Sequence, residues 1–568
     1  MSELEIKPTE WIPALITVNV GLLVFYLTKD PNRHGLTDNS LMYLLPWMLI
    51  FTFVGIVILT ALDYGKIKKL FSKVSRNTWI LLGFILLAGL YLRTVVVPHT
   101  HRIFFDEDLY VGIGNSIASE GKAIMCNRGY PDRCVEGILN KEPNGYPVLV
   151  GVLYFIFGRG EWIVYAMEAA LGTLSIALVF LAAYLLFESE RTALYSAFVF
   201  ALIPSHIVWS GSLGAEVVAT FFALAAVLYA LLYLKTGNNR LLLATAFVTA
   251  YATQIRPESG LIIPIVCLLV ALNDKRILKK AATYGFWIPW IALILLIIPH
   301  MIHLAHANRT YNWGASEGKI SVKYLDRNLS VNTSFLVDGV NHPTAFTVFA
   351  VLGLVYMLAY RWRALLPLFA WFAIFFGLYA VFYSGSFDSG GIGHRFALIV
   401  SAPLAFFAGY GMHAVTEIGG RAGGRKLAAV AALAIILASL YSFWGTLPFI
   451  KTPDHQAQYA REMHDFAVEY AKQLAPNCHI LEHTPSIFLV NNRPSLQTWF
   501  GGNKMVMDPL FSETDCVYYM EGAWCLFEPH KSGVCKNMHN TYNLTAEWSM
   551  TRDEDKSQVF TLYRVRRK

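Results

Sequence analysis

Thirteen apolar runs govern what this sequence can form: residues 11 to 27, 40 to 62, 79 to 97, 161 to 187, 192 to 209, 216 to 234, 241 to 255, 259 to 273, 283 to 303, 344 to 360, 364 to 383, 396 to 416 and 427 to 446. A bilayer core about 30 Å thick takes roughly 20 such residues per helix. The composition agrees, since the 568 residues are 55% hydrophobic and only 15% charged, against about 25% charged in soluble domains. The expected fold is a multi-pass α-helical membrane protein of about 13 transmembrane helices with a small extracytoplasmic α/β C-terminal domain. The net charge of +7 lies in short basic clusters between the runs, which reads as a topology signal and excludes a nucleic-acid surface.

Alternate loops carry those clusters: "YGKIKKLFSKVSRN", "KTGNNR", "NDKRILKK", "YRWR" and "GGRAGGRK". Cytoplasmic loops are the Lys- and Arg-rich ones, so residues 98 to 160, 304 to 343, 384 to 395 and the tail from 447 are predicted to lie outside. The first run has no small-residue cleavage site and reads as a retained helix. Cys126 and Cys134 share the outer loop, four more (Cys478, Cys516, Cys525, Cys535) share the tail, and Cys267 alone sits in an apolar run. Even numbers outside predict one disulfide in the loop and two in the tail of the chain, in an oxidising space. The sequons at Asn308, Asn328, Asn332 and Asn543 fall on the same side, although long outer loops also collect sequons by size. In the tail, "DHQAQYAREMHDFAVEYAKQL" has a helical pattern, and "CHILEH", "SIFLV", "CVYYM" and "VFTLYRV" read as strands. The expected divisions are two additional N-terminal helices with a basic loop at 1 to 78, a membrane domain at 79 to 446, and a soluble domain at 447 to 568.

The outer loop contains "HRIFFDEDLYVGIGNSIASEGK", with Asp106, Glu107 and Asp108 consecutive in a mostly uncharged neighbourhood. The Asp-x-Asp spacing matches soluble nucleotide-sugar transferases, but no βαβ unit or Gly-rich phosphate loop accompanies it. The apolar spacing after the acids predicts a helix lying along the membrane interface. "NKEPNGYPVLVGVLYFIFGRGEW" then gives a Pro-containing turn and an apolar segment too short to span. Together with "SGSLGAE", "IRPESG" and "GHRFALIVSAPLAFFAGYG", these pieces resemble, in order from about residue 79, the glycosyltransferase-C superfamily. The likeness is to its branch of protein O-mannosyltransferases and the lipid A aminoarabinose transferase. The chain departs from that branch in Pro143-Asn144, where two prolines are usual, and in its two extra N-terminal helices. The Trp-Trp-Asp signature of oligosaccharyltransferases is absent.

The resemblance implies an inverting transfer of one sugar from a polyprenyl-phosphate donor, dolichyl or undecaprenyl in type, to a hydroxyl on a protein, lipid-linked glycan or cell-wall glycan. It assigns Asp106 as general base, with Glu107 supporting catalysis and Tyr110 in the same motif. Glu107 or Asp108 would tune or orient that base, or hold a divalent metal such as Mg²⁺ or Mn²⁺; whether a metal is needed stays open. Phosphate departure calls for cations at the outer interface, best an Arg whose fork meets two oxygens. Lys141, Arg256 and Arg395 are placed there, with His394 beside Arg395, each against the alternative of snorkelling at a helix end. Glu258 is read as the partner of Arg256, and Glu216, entering a membrane helix, as a group that positions Arg256 or an acceptor hydroxyl. Arg93 reads as a snorkelling anchor, and His300, His303 and His306 as an interfacial row. Competing readings are oligosaccharide transfer, a lipid or sugar transporter, and a membrane scaffold. A prokaryotic plasma membrane is favoured over the endoplasmic reticulum.

Overall fold

The computed structural model of the protein describes residues 8–27, 31–103, 105–274, 276–310, 318–388, 392–452, 455–522, 525, 529–551 and 559–568. Two compact units result: Met1–Thr37, Trp47–His99 and Tyr165–Asp454 form one, and Asp38–Pro46, Thr100–Val164 and His455–Lys568 the other.

Among the described residues, seven helices are long and apolar enough to cross a membrane: Asn39–Phe71, Arg76–Val96, Glu161–Phe187, Glu216–Thr236, Tyr284–Ala307, Trp362–Val381 and Ile392–Trp444. Gly145–Phe157, Pro257–Asn273 and Thr344–Tyr360 are shorter apolar helices. Several expected spans are reshaped by Pro and Gly. The run from 192 breaks after the helix Glu190–Ala201 because Pro204 forces Ile203 into extended backbone (φ −71, ψ 114). The last two runs form one helical track, Ala397–Trp444, bent at Gly423 and Gly424, the latter at φ +67, a conformation that suits glycine.

Close helix packing in the first unit depends on small residues. A Cβ on Gly353 would run into the carbonyl of Phe407, and one on Gly411 into that of Phe349. Arg93 is not a snorkelling anchor: it is fully buried. Its guanidinium donates to the carbonyls of Gly89 (3.0 Å) and Ala201 (3.2 Å) and lies 3.2 Å from His206 Nδ1. Gly172, whose added Cβ would meet the Arg93 side chain, leaves it room. Asn328 and Asn332 are also buried. Their amides donate to the carbonyls of Tyr379, Phe382 and Gly385, so these two sequons serve packing; Asn543 is exposed, and the side chain of Asn308 lies outside the described residues.

The second unit is built on a seven-stranded sheet in the order β2-β1-β4-β3-β5-β7-β6. The strands are β1 Met125–Tyr130, β2 Arg133–Ile138, β3 His479–Glu482, β4 Ser495–Gln497, β5 Val517–Glu521, β6 Tyr542–Thr551 and β7 Val559–Arg567. β3 runs parallel to β4 and β5, and the other neighbours pair antiparallel. The segment 98 to 160 thus supplies a hairpin to the tail's sheet, with Arg128 opposite Leu496. Alternation along the strands sends Ile480, Tyr518 and Leu562 to one core with Phe466 and Ala467 of the helix His455–Gln473. Leu481, Tyr519 and Val565 go to the other face, against Phe500 and Met538. "SIFLV", expected as a strand, is a short helix, Ser486–Val490, buried throughout; the four apolar residues from Ile487 to Val490 fit either form. Disulfides join Cys126 to Cys134, Cys478 to Cys516 and Cys525 to Cys535.

The helix Asp106–Glu120 also differs from expectation. Every residue from Glu107 to Ile117 is buried, so no polar face is left for a membrane interface. A Cβ on Gly112 would strike Ser486, and one on Gly114 would strike Val150. At the end of β3, Glu482 is buried and accepts the backbone N–H of Thr484. Burial, aided by the charge of Asp108, pushes its pKa from 4.5 up to about 8.

Gly411→Val should cost about 1–3 kcal/mol by forcing the helices apart, read as a lower unfolding temperature in detergent, while Gly377→Ala, which meets open space, should change little. Glu482 holds a proton in the folded chain that the unfolded chain releases. Its cost is therefore absent below pH 4.5 and complete above pH 8. Glu482→Gln should raise the unfolding temperature at pH 8, with the gain shrinking as pH falls toward 4.5.

Candidate functional site

Three acids occupy the first turn of the helix Asp106–Glu120, where negative charge is favoured by the helix dipole. The backbone gives each a different surrounding. Glu107 is fully buried, and its Oε2 accepts the N–H groups of Arg102 (2.7 Å) and Ile103 (3.4 Å), folding the preceding loop back over the helix start. Asp108 is buried beside two imidazoles. Asp106 is the one of the three that is not buried. Tyr110 packs inward, edge-on to Tyr146 at 5.3 Å. Lys141 pairs with Glu142 at 3.2 Å.

The imidazoles next to Asp108 belong to His101 and His464, which sequence reasoning did not single out. They stack at 4.0 Å between two carboxylates. Glu161 Oε1 lies 3.2 Å from His101 Nε2 and 3.1 Å from His464 Nε2. Asp108 Oδ1 lies 3.7 Å and 3.3 Å from the two Nδ1 atoms. Burial disfavours charge on His464, but Glu161 and Asp108 outweigh it and hold its pKa well above the usual histidine value. Burial and the neighbouring His464 oppose charge on His101 too, and the same carboxylates leave its pKa raised. The available signal was positional: His464 falls beside Met463 and two turns' worth of apolar neighbours, on the buried face of an otherwise polar helix.

In the membrane unit, the start of one helix and the end of another bring a second group of charges together. Glu216 opens the helix Glu216–Thr236, and Arg256 ends Asn239–Ile255 in extended backbone ahead of Pro257. Glu216 Oε1 accepts a close contact from Arg256 Nη1 and lies 3.5 Å from Arg395 Nη1. Arg256 Nε donates to Glu258 Oε1 at 2.6 Å. Both guanidinium groups lie over the Phe396 ring, at 5.6 and 5.0 Å. With Tyr379 they line a narrow cleft of about 10 Å³. Two forks therefore face one opening, against two carboxylates that can yield them to a phosphate. His394 is buried between the rings of Trp209 (5.4 Å) and Phe449 (5.3 Å) and does not line this cleft. His300 and His303 are buried with rings 5.9 Å apart.

Sequence comparison matches residues 141–303 to a family described as dolichyl-phosphate-mannose-protein mannosyltransferase. That segment includes Lys141, Glu216, Arg256 and Glu258. No curated protein sequence matches the chain. Among solved structures, ArnT from Cupriavidus metallidurans bound to undecaprenyl phosphate is similar at 13% identity and TM-score 0.56, over 86% of this chain and 99% of that one. The archaeal oligosaccharyltransferase AglB from Archaeoglobus fulgidus, in complex with an inhibitory peptide and a dolichol-phosphate, is similar at 15% identity and TM-score 0.51, over 87% and 74%. At such identities the likeness is one of architecture, and with the order of the motifs it says that this chain is built on the glycosyltransferase-C fold.

Proposed function

We propose that the protein is an inverting glycosyltransferase that moves one sugar from a polyprenyl-phosphate donor to a hydroxyl acceptor on the extracytoplasmic side of a membrane. The observation that carries this reading is the convergence of Arg256 and Arg395 on Glu216 in one cleft of the membrane unit. A phosphate entering there exchanges a carboxylate for a better-matched oxyanion, and two planar forks can each engage two oxygens. The undecaprenyl phosphate bound to ArnT, a chain of similar fold, supports a lipid phosphate as the ligand. The acceptor's proton goes to Asp106, the acceptor oxygen attacks the anomeric carbon from the side opposite the phosphate, and the carbon–oxygen bond to phosphate breaks. The departing charge is taken up by the arginines. Configuration at the sugar is inverted because the displacement is single.

Within this scheme Glu107 supports catalysis by fixing the backbone just before Asp106, and Asp108 by anchoring the first helical turn to His101 and His464. Tyr110 and Tyr146 brace that helix. Lys141 and Glu142 flank the segment ahead of Gly145–Phe157 and are assigned to the donor or acceptor side. His394 acts on Arg395 through the loop they share. The likeness to an oligosaccharyltransferase keeps transfer of a preassembled glycan as the second reading, which a donor panel separates from the first.

Purified protein in liposomes, given a panel of labelled polyprenyl-phosphate sugars and a cell-envelope extract, should release free polyprenyl phosphate with one class of donor. Asp106→Asn should lower that turnover by about 10²–10⁴-fold, the range of general-base catalysis, with unfolding temperature unchanged. Equal turnover in the variant would remove Asp106 from the chemistry. Arg395→Lys keeps the charge and loses the fork, so kcat/KM should fall by about 10-fold or more, the loss of one charge-assisted hydrogen bond. An unchanged value would place the phosphate elsewhere.

A further inference from the structure

We propose that His101, Asp108, Glu161 and His464 form a binding site for a divalent transition-metal ion of the zinc and manganese class. One ligand atom from each lies within 4.8 Å of the others, and among the described residues this is the one group of histidine and carboxylate side chains that does so. The four come from three separate stretches: the loop and helix start at 101 and 108, the head of the helix from Glu161, and the helix His455–Gln473. His101 and His464 are 3% and 7% exposed and Asp108 is 2% exposed. Their Nδ1, Nδ1 and Oδ1 atoms make no hydrogen bond that satisfies them. Buried polar atoms in that condition call for a partner.

Two neutral rings between these carboxylates need a cation, which either protons on the imidazoles or one metal ion supplies, and the test below separates the two. A neutral imidazole has one N–H and one lone pair. Here each ring meets a carboxylate oxygen at both edges, Glu161 at Nε2 and Asp108 at Nδ1, so one lone pair of each ring is set against an oxygen lone pair. An ion seated against Glu161 takes Nε2 from both rings, and both Nδ1–H groups are then directed at Asp108. That is the carboxylate–imidazole–metal relation by which neighbouring carboxylates fix metal-bound histidines. It also explains why the two flat rings can stack at 4.0 Å. Two nitrogens with carboxylate oxygen suit zinc or manganese; calcium and magnesium favour oxygen alone. The acidic triplet itself is a poor cage, because Glu107 is engaged by the backbone N–H groups of Arg102 and Ile103.

The site does not depend on the sugar-transfer reading and is tested without it. Full-length untagged protein, stripped with a chelator and dialysed against trace zinc or manganese, should retain about one ion per chain by elemental analysis. Titration calorimetry with the zinc ion should give a single binding step, and Co²⁺ in its place should give the visible absorption of a low-symmetry site with nitrogen ligands. Glu161→Gln, nearly isosteric, should weaken binding at least about 10-fold, and His464→Gln should abolish it. His539→Gln, at an exposed pair with Glu521, should leave stoichiometry unchanged. Retention well below one ion per chain, or stoichiometry unaltered in both site variants, would overturn the proposal. Because His464→Gln alters a buried residue, Glu161→Gln and the cobalt spectrum of the unmodified chain decide the matter if that variant does not fold.

Discussion

A carboxylate removed from water needs donors or cations around it, or it takes up a proton. Each buried acid of this chain near the proposed chemistry answers that demand differently. Glu107 is met by backbone N–H groups, Asp108 by imidazoles that the half-buried Glu161 shares, Glu216 by guanidinium groups, and Glu482 by a proton and the N–H of Thr484. These partners tie loop, helix start and helix end together at specific atoms. Asp106 stands at the head of the same helix, yet it is not buried. In this helix start two buried acids with fixed neighbours thus stand beside one acid that is only partly covered.

The same logic applies in the membrane unit. Arg93, buried among helices, and the pair Arg256 and Arg395, lining a cleft, look alike in sequence as isolated cations near apolar runs. What separates them is whom they meet. Arg93 gives its protons to Gly89, Ala201 and His206 and has a packed environment. Arg256 and Arg395 lean over Phe396 toward carboxylates at a narrow cleft.

Much of the architecture was legible because membrane helices announce themselves by length and polarity, and the number of disulfides in loop and tail followed from how the cysteines divide between them, although the pairing of the four tail cysteines did not. The pairing of Arg256 with Glu216 and with Glu258 could be read from residue type and placement. The rest depended on contacts between distant stretches. Nothing local marks Met125–Tyr130 as a partner for Ser495–Gln497, and the expected division at residue 447 follows the chain, whereas the sheet does not. His464 sits in a helix whose polar majority made it look like a surface residue, and its meeting with His101 and Glu161 is set by the sheet that positions that helix. "SIFLV" was ambiguous in period and was settled by its packing against the helix Asp106–Glu120.

The hairpin shared between loop and tail bears on how the chain is assembled. β1 is synthesised long before β4, the strand it pairs with, and until then its free edge is open to wrong pairing. The Cys126–Cys134 bond needs only the loop itself, so it can close as soon as that segment reaches an oxidising space. Early closure holds β1 and β2 together while the intervening helices are inserted, and leaves one strand edge reserved for the tail. Completion of the sheet is a non-local and therefore slow step, and the helix that begins at Asp106 meets Ser486 only once the tail is present. The packing of the acidic helix is therefore complete only after the tail has been made.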